Sequence, residues 1–489
     1  MSVTKERLNK LEIEKGKESL ALKGLFSEEY GWRWVWALAL VGILSLIFLF
    51  PPTSGVSLVS QAGVVILIGI LIVLLLVYLS RYWPQFLSPK LLLLLGILTA
   101  SMGLMGRIII LLPQIPYVFI PIAFLSILIS LLFAPSLSTV MTVWLSIYFA
   151  LNARSLQILP VLVIGGMVGI YSAQFVRQRT DLTKGGIYVG LANGLTILAV
   201  GLLYNQSFSE VGSMILWGIG SGLFSSILVM TILPYLETYF GLITDIKLLE
   251  LSNLNLPLLK RLSIEAPGTY HHTLMVANLA EAGAEIIGAN SLLTRVGAYY
   301  HDIGKIVRPH FFFENSSLTE DDRHGKVSPN LSSTIIISHV KDGVEMAQKD
   351  RLPPAVIDII REHHGKSLIA YFYRKALKNS TPDRKGEIDE DVFRYPGPLP
   401  ESKETALVML ADSVEAAFRF SPQKTVKSIE AQTEKVINNK LKDRQLDRCD
   451  LTLREIKKIA EAFTRILAGL VHTRGRYPEE ILKGETALD

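Results

Sequence analysis

Long apolar runs alternate with short connections through the first half of the chain. Most of these runs are close to the ~20 residues that an α-helix needs to cross a bilayer. Only ten of the 204 residues from Arg33 to Leu236 are charged. The pattern predicts eight membrane spans, at Trp34–Phe50, Val56–Leu79, Leu91–Leu112, Tyr117–Phe133, Leu137–Leu151, Leu156–Phe175, Gly186–Leu203 and Val211–Tyr235.

The pattern changes at Glu237 to apolar residues spaced three and four apart, which is typical of amphipathic helices. Strand-like alternation is scarce, and the polar stretches Asn315–Pro329 and Asn379–Pro400 are predicted loops. The predicted helices are Thr273–Gly288, Ser291–Gly304, Leu331–Lys349, Pro354–His364, Leu368–Lys378, Ser402–Arg419, Thr425–Leu441 and Leu451–His472. The fold class is therefore all-α, with a polytopic helical membrane domain followed by an all-helical domain.

Basic residues indicate the orientation of the spans. The connections 81–90 and 177–184 are rich in Lys and Arg, whereas 51–57 and 204–212 contain almost none. Under the positive-inside rule, eight spans then leave the N- and C-termini in the cytoplasm. The first span is followed by Pro51-Pro52 and by no small-residue cleavage site, so we predict a retained anchor.

Composition limits the chemistry that the chain can perform. Half of the 489 residues are hydrophobic and the mean hydropathy is positive, which is too apolar for a purely soluble protein of this size. The net charge of +5 comes largely from segments beside the spans, so we expect no nucleic acid polymer as a partner. The single cysteine, Cys449, excludes an internal disulfide and a cysteine-based zinc cluster.

Eight of the nine histidines lie between His271 and His364. Several of them, and two aspartates, occupy positions among apolar residues, where an unpaired charge would be costly. A metal would satisfy this set, and its imidazoles and carboxylates, with no thiolate, favour manganese or iron. The candidate ligands are His272, His301, Asp302, His339, His363, His364 and Asp412. Seven ligands favour two ions that share one carboxylate, and Asp302 is the natural bridge.

Six motifs in one order resemble the HD domain of the seven-transmembrane HD receptor family, which is typified by bacterial cyclic-di-AMP phosphodiesterases. The resemblance covers residues 240–475. The motifs begin with the run from Glu265 to Glu281, which contains His271-His272, and continue with His301-Asp302-Ile303-Gly304-Lys305, Phe312-Phe313-Glu314-Asn315, His339-Val340-Lys341-Asp342-Gly343, His363-His364-Gly365 and Leu410-Ala411-Asp412-Ser413-Val414-Glu415-Ala416-Ala417.

The resemblance implies a ligand set for each ion. His272, His301, Asp302 and Asp412 would hold one ion, and His339, His363 and His364, with Asp302 bridging, the other. It also implies an enzyme bound to the bacterial plasma membrane that hydrolyses cyclic-di-AMP to pApA. A hydroxide bridging the two ions would attack phosphorus in line with the departing 3′ oxygen.

The domain organisation follows from the spans and the resemblance together. The last seven spans resemble the membrane domain of the family, and the first resembles its N-terminal anchor. The predicted parts are a cytoplasmic tail (1–32), an anchor (33–50), a seven-helix membrane domain (56–236), a connector (237–265), an HD phosphohydrolase domain (266–475) and a C-terminal tail (476–489).

The chain departs from the family pattern in two places. Family members of this type carry a large extracytoplasmic domain between the first two spans, where only 51–57 is available here. After the paired histidines, Gly365-Lys366-Ser367 replaces the more familiar Gly-Thr. The first departure puts external ligand sensing by that domain in doubt, and the second bears on substrate contacts.

Further residues are candidates for catalysis and substrate binding. Lys305 is expected to neutralise a phosphate oxygen as charge develops. Tyr371, Tyr373 and Arg374 follow the paired histidines closely and are candidates for stacking on adenine or contacting phosphate. The partners are thus a cyclic dinucleotide and the lipid bilayer, and a homodimer remains open.

Other functions fit parts of the sequence. An HD phosphohydrolase that acts on another cyclic nucleotide is one, but hydrolases of the HD-GYP type require a Gly-Tyr-Pro that the run after His364 lacks. A receptor or scaffold with an inactive HD domain is another, although inactive versions usually lose ligands that are all present here. Transport is a third, but the spans lack the chains of acids and bases that proton pumps need.

Overall fold

The computed structural model describes residues 31–49, 58–83, 88–315, 327–380, 388–421 and 425–472. Residues 1–30 of the predicted N-terminal tail, the predicted C-terminal tail, the connection 51–57 and parts of the two predicted loops lie outside the described residues. The chain divides into two compact units, with the boundary between Ile246 and Lys247. The described residues contain no β-strand and only an isolated bridge between Leu368 and Arg394.

Unit 1 is a bundle of apolar helices. Its helices are α1 (Gly31–Leu49), α2 (Leu58–Tyr82), α3 (Pro89–Leu111), α4 (Ile122–Leu132), α5 (Pro135–Ala153), α6 (Ile158–Ala173), α7 (Asp181–Leu203), α8 (Phe208–Phe240) and the start of the short α9 (Asp245–Leu251). Among the described residues, α2, α3, α5, α7 and α8 are long and apolar enough to cross a membrane. The chain is therefore a multi-pass membrane protein.

The fourth predicted span differs from the helix observed there. A single turn of 3₁₀-helix covers Tyr117–Phe119, and α4 begins only after Pro121. Proline has no amide hydrogen and favours the first turn of a helix over its interior, which accounts for the interruption. All residues from 122 to 129 are buried. With 11 residues, α4 is about 16 Å long and forms part of the interior of unit 1, in contact with α5, α6 and α8.

Close packing in unit 1 depends on glycine where α7 meets α8. A Cβ atom at Gly222 would lie 2.4 Å from the backbone nitrogen of Gly190. Side chains on either residue would push the two helices apart, so small residues at this crossing allow backbone-to-backbone contact.

Unit 2 is an all-helical domain, as predicted. It contains most of α9 and then α10 (Pro257–Glu265), α11 (Pro267–Ile287), α12 (Ser291–Tyr300), α13 (Pro329–Lys349), α14 (Pro354–Glu362), α15 (Ala370–Asn379), α16 (Lys403–Arg419), α17 (Val426–Lys442) and α18 (Leu453–His472). Short 3₁₀ turns follow α12 and precede α16. The central helix is α11, which packs against α10, α12, α16 and α18.

Local sequence signals fix the ends of several helices in unit 2. The side chain of Asn290 accepts a hydrogen bond from Leu293 N and caps the start of α12, and Ser402 does the same for α16 through Thr405 N. At the other end, Gly288 adopts the left-handed conformation with φ of 71° and ends α11. These residues therefore fix where α12 and α16 begin and where α11 ends.

Candidate metal centre

Seven side chains that the sequence predicts as metal ligands lie together inside unit 2. They form two groups, in each of which the potential ligand atoms lie within 4.8 Å of one another. The first group contains Asp302, His339, His363 and His364, and the second contains His272, His301 and Asp412. The structure thus brings together all seven residues.

Five segments of the chain deliver these side chains. His272 lies near the start of α11, and the pair His301-Asp302 directly follows α12. His339 lies within α13, His363-His364 directly follow α14, and Asp412 lies within α16. Six of the seven residues are buried, and His364 retains an 18% exposed side chain. The centre is therefore enclosed by helices but accessible on the His364 side.

The turn after His301-Asp302 packs directly against the backbone of α13. A Cβ atom at Gly304 would lie 1.9 Å from the carbonyl oxygen of His339 and 2.5 Å from Gly343 N. Real Cβ atoms essentially never approach another atom closer than 3.0 Å. Glycine is therefore required at position 304 by the close approach that holds Asp302 beside His339.

Backbone carbonyls orient three of the imidazole rings. In each ring Nδ1 donates to the carbonyl oxygen three residues earlier, at 2.7 Å for His301, 2.6 Å for His339 and 2.8 Å for His363. This hydrogen bond assigns the proton to Nδ1 and leaves the lone pair of Nε2 facing the centre. Metal-binding histidines are commonly held in this way, by an acceptor for the ring nitrogen that does not bind the metal.

The two carboxylate oxygens of Asp302 face different groups of imidazoles. Oδ2 lies 3.2 Å from His301 Nε2 and 3.6 Å from His272 Nε2. Oδ1 lies 3.3 Å from His339 Nε2 and 3.8 Å from His363 Nε2. Lys305 Nζ lies 2.7 Å from Oδ2, whereas Oδ1 and His301 Nε2 have no hydrogen-bond partner in the part of the chain that the structure describes. Buried atoms of this kind are suited to binding a cation, and this geometry allows Asp302 to join two sites.

Electrostatics favours the protonation states that metal binding requires at most of these positions. Burial, reinforced by His301, lowers the pKa of His363 to about 3, so this ring is neutral at pH 7. Burial, reinforced by His363, also lowers the pKa of His364. Burial alone would raise the pKa of Asp302, but His301 and Lys305 hold it well below its usual range. His363 and His364 are therefore neutral imidazoles at pH 7, and Asp302 is an ionised carboxylate.

His272 differs from the other rings because carboxylates lie at both of its nitrogens. Its Nε2 lies 3.0 Å from Asp412 Oδ1, and its Nδ1 lies 2.5 Å from Glu415 Oε2. Burial would lower the pKa of His272, but these two hydrogen bonds raise it to about 9. A metal that binds Nε2 would displace this proton.

Glu415 supports His272, a role that the sequence analysis did not assign. Arg419, one turn further along α16, holds the Glu415 carboxylate through Nη2 at 2.8 Å from Oε1 and 2.9 Å from Oε2. Asp412 and Glu415 are three residues apart on one helix, so both face the centre. That spacing is a signal from which the role of Glu415 could have been inferred.

Lys305 lies at the edge of the centre and is buried. Its Nζ atom lies 2.7 Å from Asp302 Oδ2 and 2.8 Å from Glu314 Oε1, and 5.0 Å from the centre of the Phe312 ring. Burial would lower the pKa of Lys305, but Asp302 and Glu314 raise it. Lys305 is therefore a cation at neutral pH, held next to the carboxylate that joins the two groups.

The three predicted substrate contacts lie on α15. Tyr371 is 68% exposed, Arg374 is exposed, and Tyr373 packs against Phe393 with ring centroids 5.7 Å apart. Within the described ranges, no hydrogen bond, ion pair or ring contact joins these residues to the cluster. Their role in substrate binding stays a prediction.

A different tyrosine, which the sequence analysis missed, lines the centre. The ring of Tyr395 is buried and stacks on His364, with centroids 4.2 Å apart and planes inclined by 28°. It also lies edge-on to His339, with centroids 6.2 Å apart. Tyr395 lies within the predicted loop 379–400, and nothing in its spacing relative to the histidines indicates this contact.

Two family models match the chain in succession. The model described as "7TM receptor with intracellular HD hydrolase" matches residues 58–244, and the model described as "HD domain" matches residues 269–417. The first match lies in unit 1, and the second contains all seven ligand candidates.

Curated relatives match across the same regions. The cyclic-di-AMP phosphodiesterase PgpH of Bacillus subtilis is 37% identical over 460 residues, which cover 91% of this chain and 63% of the relative. The protein of the same name from Listeria monocytogenes is 41% identical over 321 residues, which cover 65% of this chain and 44% of the relative. The chain thus spans less than two thirds of the length of either relative.

A solved structure matches part of the chain. The crystal structure of the HD domain of L. monocytogenes PgpH is 46% identical, covers 45% of this chain and 100% of that chain, and gives a TM-score of 0.42. The membrane model and the HD model match in the same order as the two units, so the chain is similar in both units to seven-transmembrane receptors with an intracellular HD hydrolase domain.

Proposed function

We propose that this chain is a membrane-bound, metal-dependent phosphodiesterase that hydrolyses cyclic-di-AMP to pApA. The observation that carries the proposal is the arrangement at Asp302, whose two carboxylate oxygens face two separate groups of imidazoles. Two similar proteins that are named cyclic-di-AMP phosphodiesterases support the choice of substrate.

The donor set fits two divalent ions, which we propose to be manganese or iron. Imidazole nitrogens and carboxylate oxygens suit both metals. The lowered pKa values of His363, His364, Asp302 and Asp412 favour the neutral or anionic forms that bind a cation. The proposed ligands of one ion are His272, His301, Asp302 and Asp412, and those of the other are Asp302, His339, His363 and His364. When bound, the ions would supply Lewis acidity toward the phosphoryl oxygens and lower the pKa of an attacking water.

The protein's own residues orient this chemistry. Carbonyl groups hold three imidazoles in one tautomer, and Glu415 holds a fourth. Lys305 places a fixed positive charge at the centre, so it is suited to binding a phosphoryl oxygen on which negative charge increases in the transition state. Tyr395 supports the ring of His364 by stacking and narrows the accessible side of the centre.

The same proposal includes the placement of the chain in the membrane. The predicted segments stay as given: tail 1–32, anchor 33–50, membrane domain 56–236, connector 237–265, HD domain 266–475 and tail 476–489. With both termini cytoplasmic, the metal centre would face the cytoplasm of a bacterial cell. Cyclic dinucleotides made in that compartment would then reach the centre without crossing the membrane.

The test is hydrolysis by the purified chain in detergent, loaded with Mn²⁺ and supplied in parallel with cyclic-di-AMP and cyclic-di-GMP. We expect pApA from cyclic-di-AMP and a much lower rate with cyclic-di-GMP. Preferred cleavage of cyclic-di-GMP would instead favour a different cyclic dinucleotide hydrolase. Two bound ions per chain with no cleavage of either substrate would contradict the proposal and favour a receptor role.

The support of His272 by Glu415 leads to a prediction about metal affinity. Glu415→Gln keeps the shape of the side chain but removes the charge that orients His272 and pairs with Arg419. Loss of such an outer partner commonly costs 10–100-fold in metal affinity, and we expect about that loss for one of the two ions. Titration with Mn²⁺, followed by activity and by calorimetry, measures it.

Glu345→Gln is the matched control for that titration. Glu345 lies on α13, where its exposed side chain contacts Lys341 on the same helix face. We expect metal affinity to stay within about twofold of the original chain, because exposed ion pairs contribute little. Equal affinities in the two variants would show that Glu415 has no part in holding the metal.

A further inference from the structure

A lysine from outside the predicted site contacts the turn that follows His364. Lys440 lies near the end of α17, is partly buried, and donates a hydrogen bond from Nζ to Ser367 Oγ at 2.7 Å. Among the described residues, no carboxylate oxygen lies within 4.0 Å of Lys440 Nζ, so Lys440 forms no ion pair there. A cation that is withdrawn from water without a direct anionic partner is costly, and this indicates a place for an anionic ligand.

Two carboxylates oppose the effect of burial on the Lys440 ammonium. Burial lowers the pKa of Lys440, and the carboxylate that opposes this effect most strongly is Asp412. Asp443 lies only one turn away on the same segment, yet its influence on Lys440 is second to that of Asp412. Asp412, one of the ligand candidates, thus acts on Lys440, although no ion pair joins the two among the described residues.

Ser367, which anchors Lys440, is joined to the wall of the centre. Its backbone N–H donates to His364 O at 3.0 Å, and its carbonyl accepts from Tyr395 N at 3.1 Å. Tyr395 in turn stacks on His364. Lys440, Ser367 and Tyr395 thus form one continuous wall beside His364, which is the ligand candidate with the most exposed side chain.

We propose that Lys440, positioned by Ser367, binds the phosphate of the cyclic dinucleotide that is not being hydrolysed. A cyclic dinucleotide carries two phosphodiesters, and the ions and Lys305 can serve only the one that reacts. Lysine is suited to the second phosphate because its ammonium is a compact charge with three donors. This inference rests on the proposed function and names the feature by which the site selects substrates with two phosphates.

The test compares two substrates in the purified full chain loaded with Mn²⁺. Cyclic-di-AMP has two phosphodiesters, whereas bis(p-nitrophenyl) phosphate has one. For Lys440→Gln we expect the KM for cyclic-di-AMP to rise about 10–100-fold, the range of a lost charge-assisted hydrogen bond, with kcat nearly unchanged. Hydrolysis of bis(p-nitrophenyl) phosphate is expected to stay within about twofold.

Matched variants separate this role from a structural one. Lys442→Gln removes an exposed lysine two residues further along the same helix, and it should change neither substrate's kinetics. Lys440→Arg keeps the charge and should recover most of the affinity. Ser367→Ala keeps Lys440 but removes its anchor, and we expect a smaller rise in the KM for cyclic-di-AMP alone. Metal content and thermal unfolding are measured for every variant.

The outcomes distinguish this inference from the proposed function. If the original chain hydrolyses cyclic-di-AMP and the KM is unchanged in both Lys440→Gln and Ser367→Ala, the proposed function stands and the role of Lys440 is overturned. An equal loss of kcat on both substrates would also overturn it, because Lys440 would then serve the reacting phosphate. If the original chain hydrolyses bis(p-nitrophenyl) phosphate but cleaves no cyclic dinucleotide, both the proposed function and the role of Lys440 are overturned.

Discussion

Replacement of Asp302 by asparagine is expected to lower phosphodiesterase activity by roughly a thousandfold or more. The asparagine amide has nearly the same shape as the carboxylate, but it carries no charge. Its NH₂ group would face His301 Nε2 or His339 Nε2 and donate to the lone pair that a metal would use. Both proposed ions share this residue, so both should be lost. A thousandfold corresponds to about 4 kcal/mol of transition-state stabilisation, which is appropriate for loss of the whole metal centre and too large for a peripheral contact.

The measurement pairs turnover of cyclic-di-AMP with metal content determined by mass spectrometry. Asp358→Asn is the matched control, because Asp358 lies on α14 and pairs with Arg361 at the surface of the unit. That change should leave activity and metal content close to the original values, since exposed substitutions seldom exceed about 0.5 kcal/mol. Full metal content in Asp302→Asn would contradict a bridging role for this residue.

Asp302→Asn also affects the protein without metal. Lys305 lies 2.7 Å from Asp302 and 2.8 Å from Glu314 in the interior of unit 2. Removing one of two carboxylates leaves the ammonium with Glu314 alone, and breaking a buried pair commonly costs 3–5 kcal/mol. A thermal unfolding curve in excess chelator therefore distinguishes the loss of metal from the loss of this ion pair.

The seven ligand candidates could be predicted from sequence because each combines a donor side chain with a helical pattern. Apolar residues three and four positions away predicted that His339 and Asp412 would face the interior. A buried donor without a partner is unfavourable, so several such residues are expected to meet. Their separation into two groups around Asp302 could be taken only from the resemblance, because spacing along the chain does not fix distances between helices.

The residues that sequence reasoning missed lack such a pattern. Tyr395 lies in an irregular segment, where no periodicity indicates which side chains face the interior. Lys440 lies on the amphipathic α17 at a partly exposed position, and its contact with Ser367 joins residues 73 positions apart. Tyr371 and Arg374, which are close to His364 in sequence, lie on the helix that begins at Ala370 with exposed side chains, and their part in substrate binding stays a prediction.

Gly304→Ala is expected to lower both the stability of unit 2 and its metal content. The added methyl group would lie 1.9 Å from the carbonyl oxygen of His339, so the turn and α13 must separate by at least about 1 Å. Backbone cannot rotate away as a side chain can, and overpacking of this kind typically costs 1–3 kcal/mol or more. A shift of that size at a catalytic centre commonly costs about 100-fold in rate.

Gly469→Ala is the matched control for Gly304→Ala. Gly469 lies within α18, and a Cβ atom there would meet nothing within 4 Å. Because alanine favours helix more than glycine does, this change should stabilise unit 2 by up to about 1 kcal/mol and leave activity unchanged. Both variants add one methyl group, so the difference between them isolates the contact between the turn and α13. If Gly304→Ala kept its metal and its activity, the packing of Gly304 against His339 could not be what holds Asp302 beside that histidine.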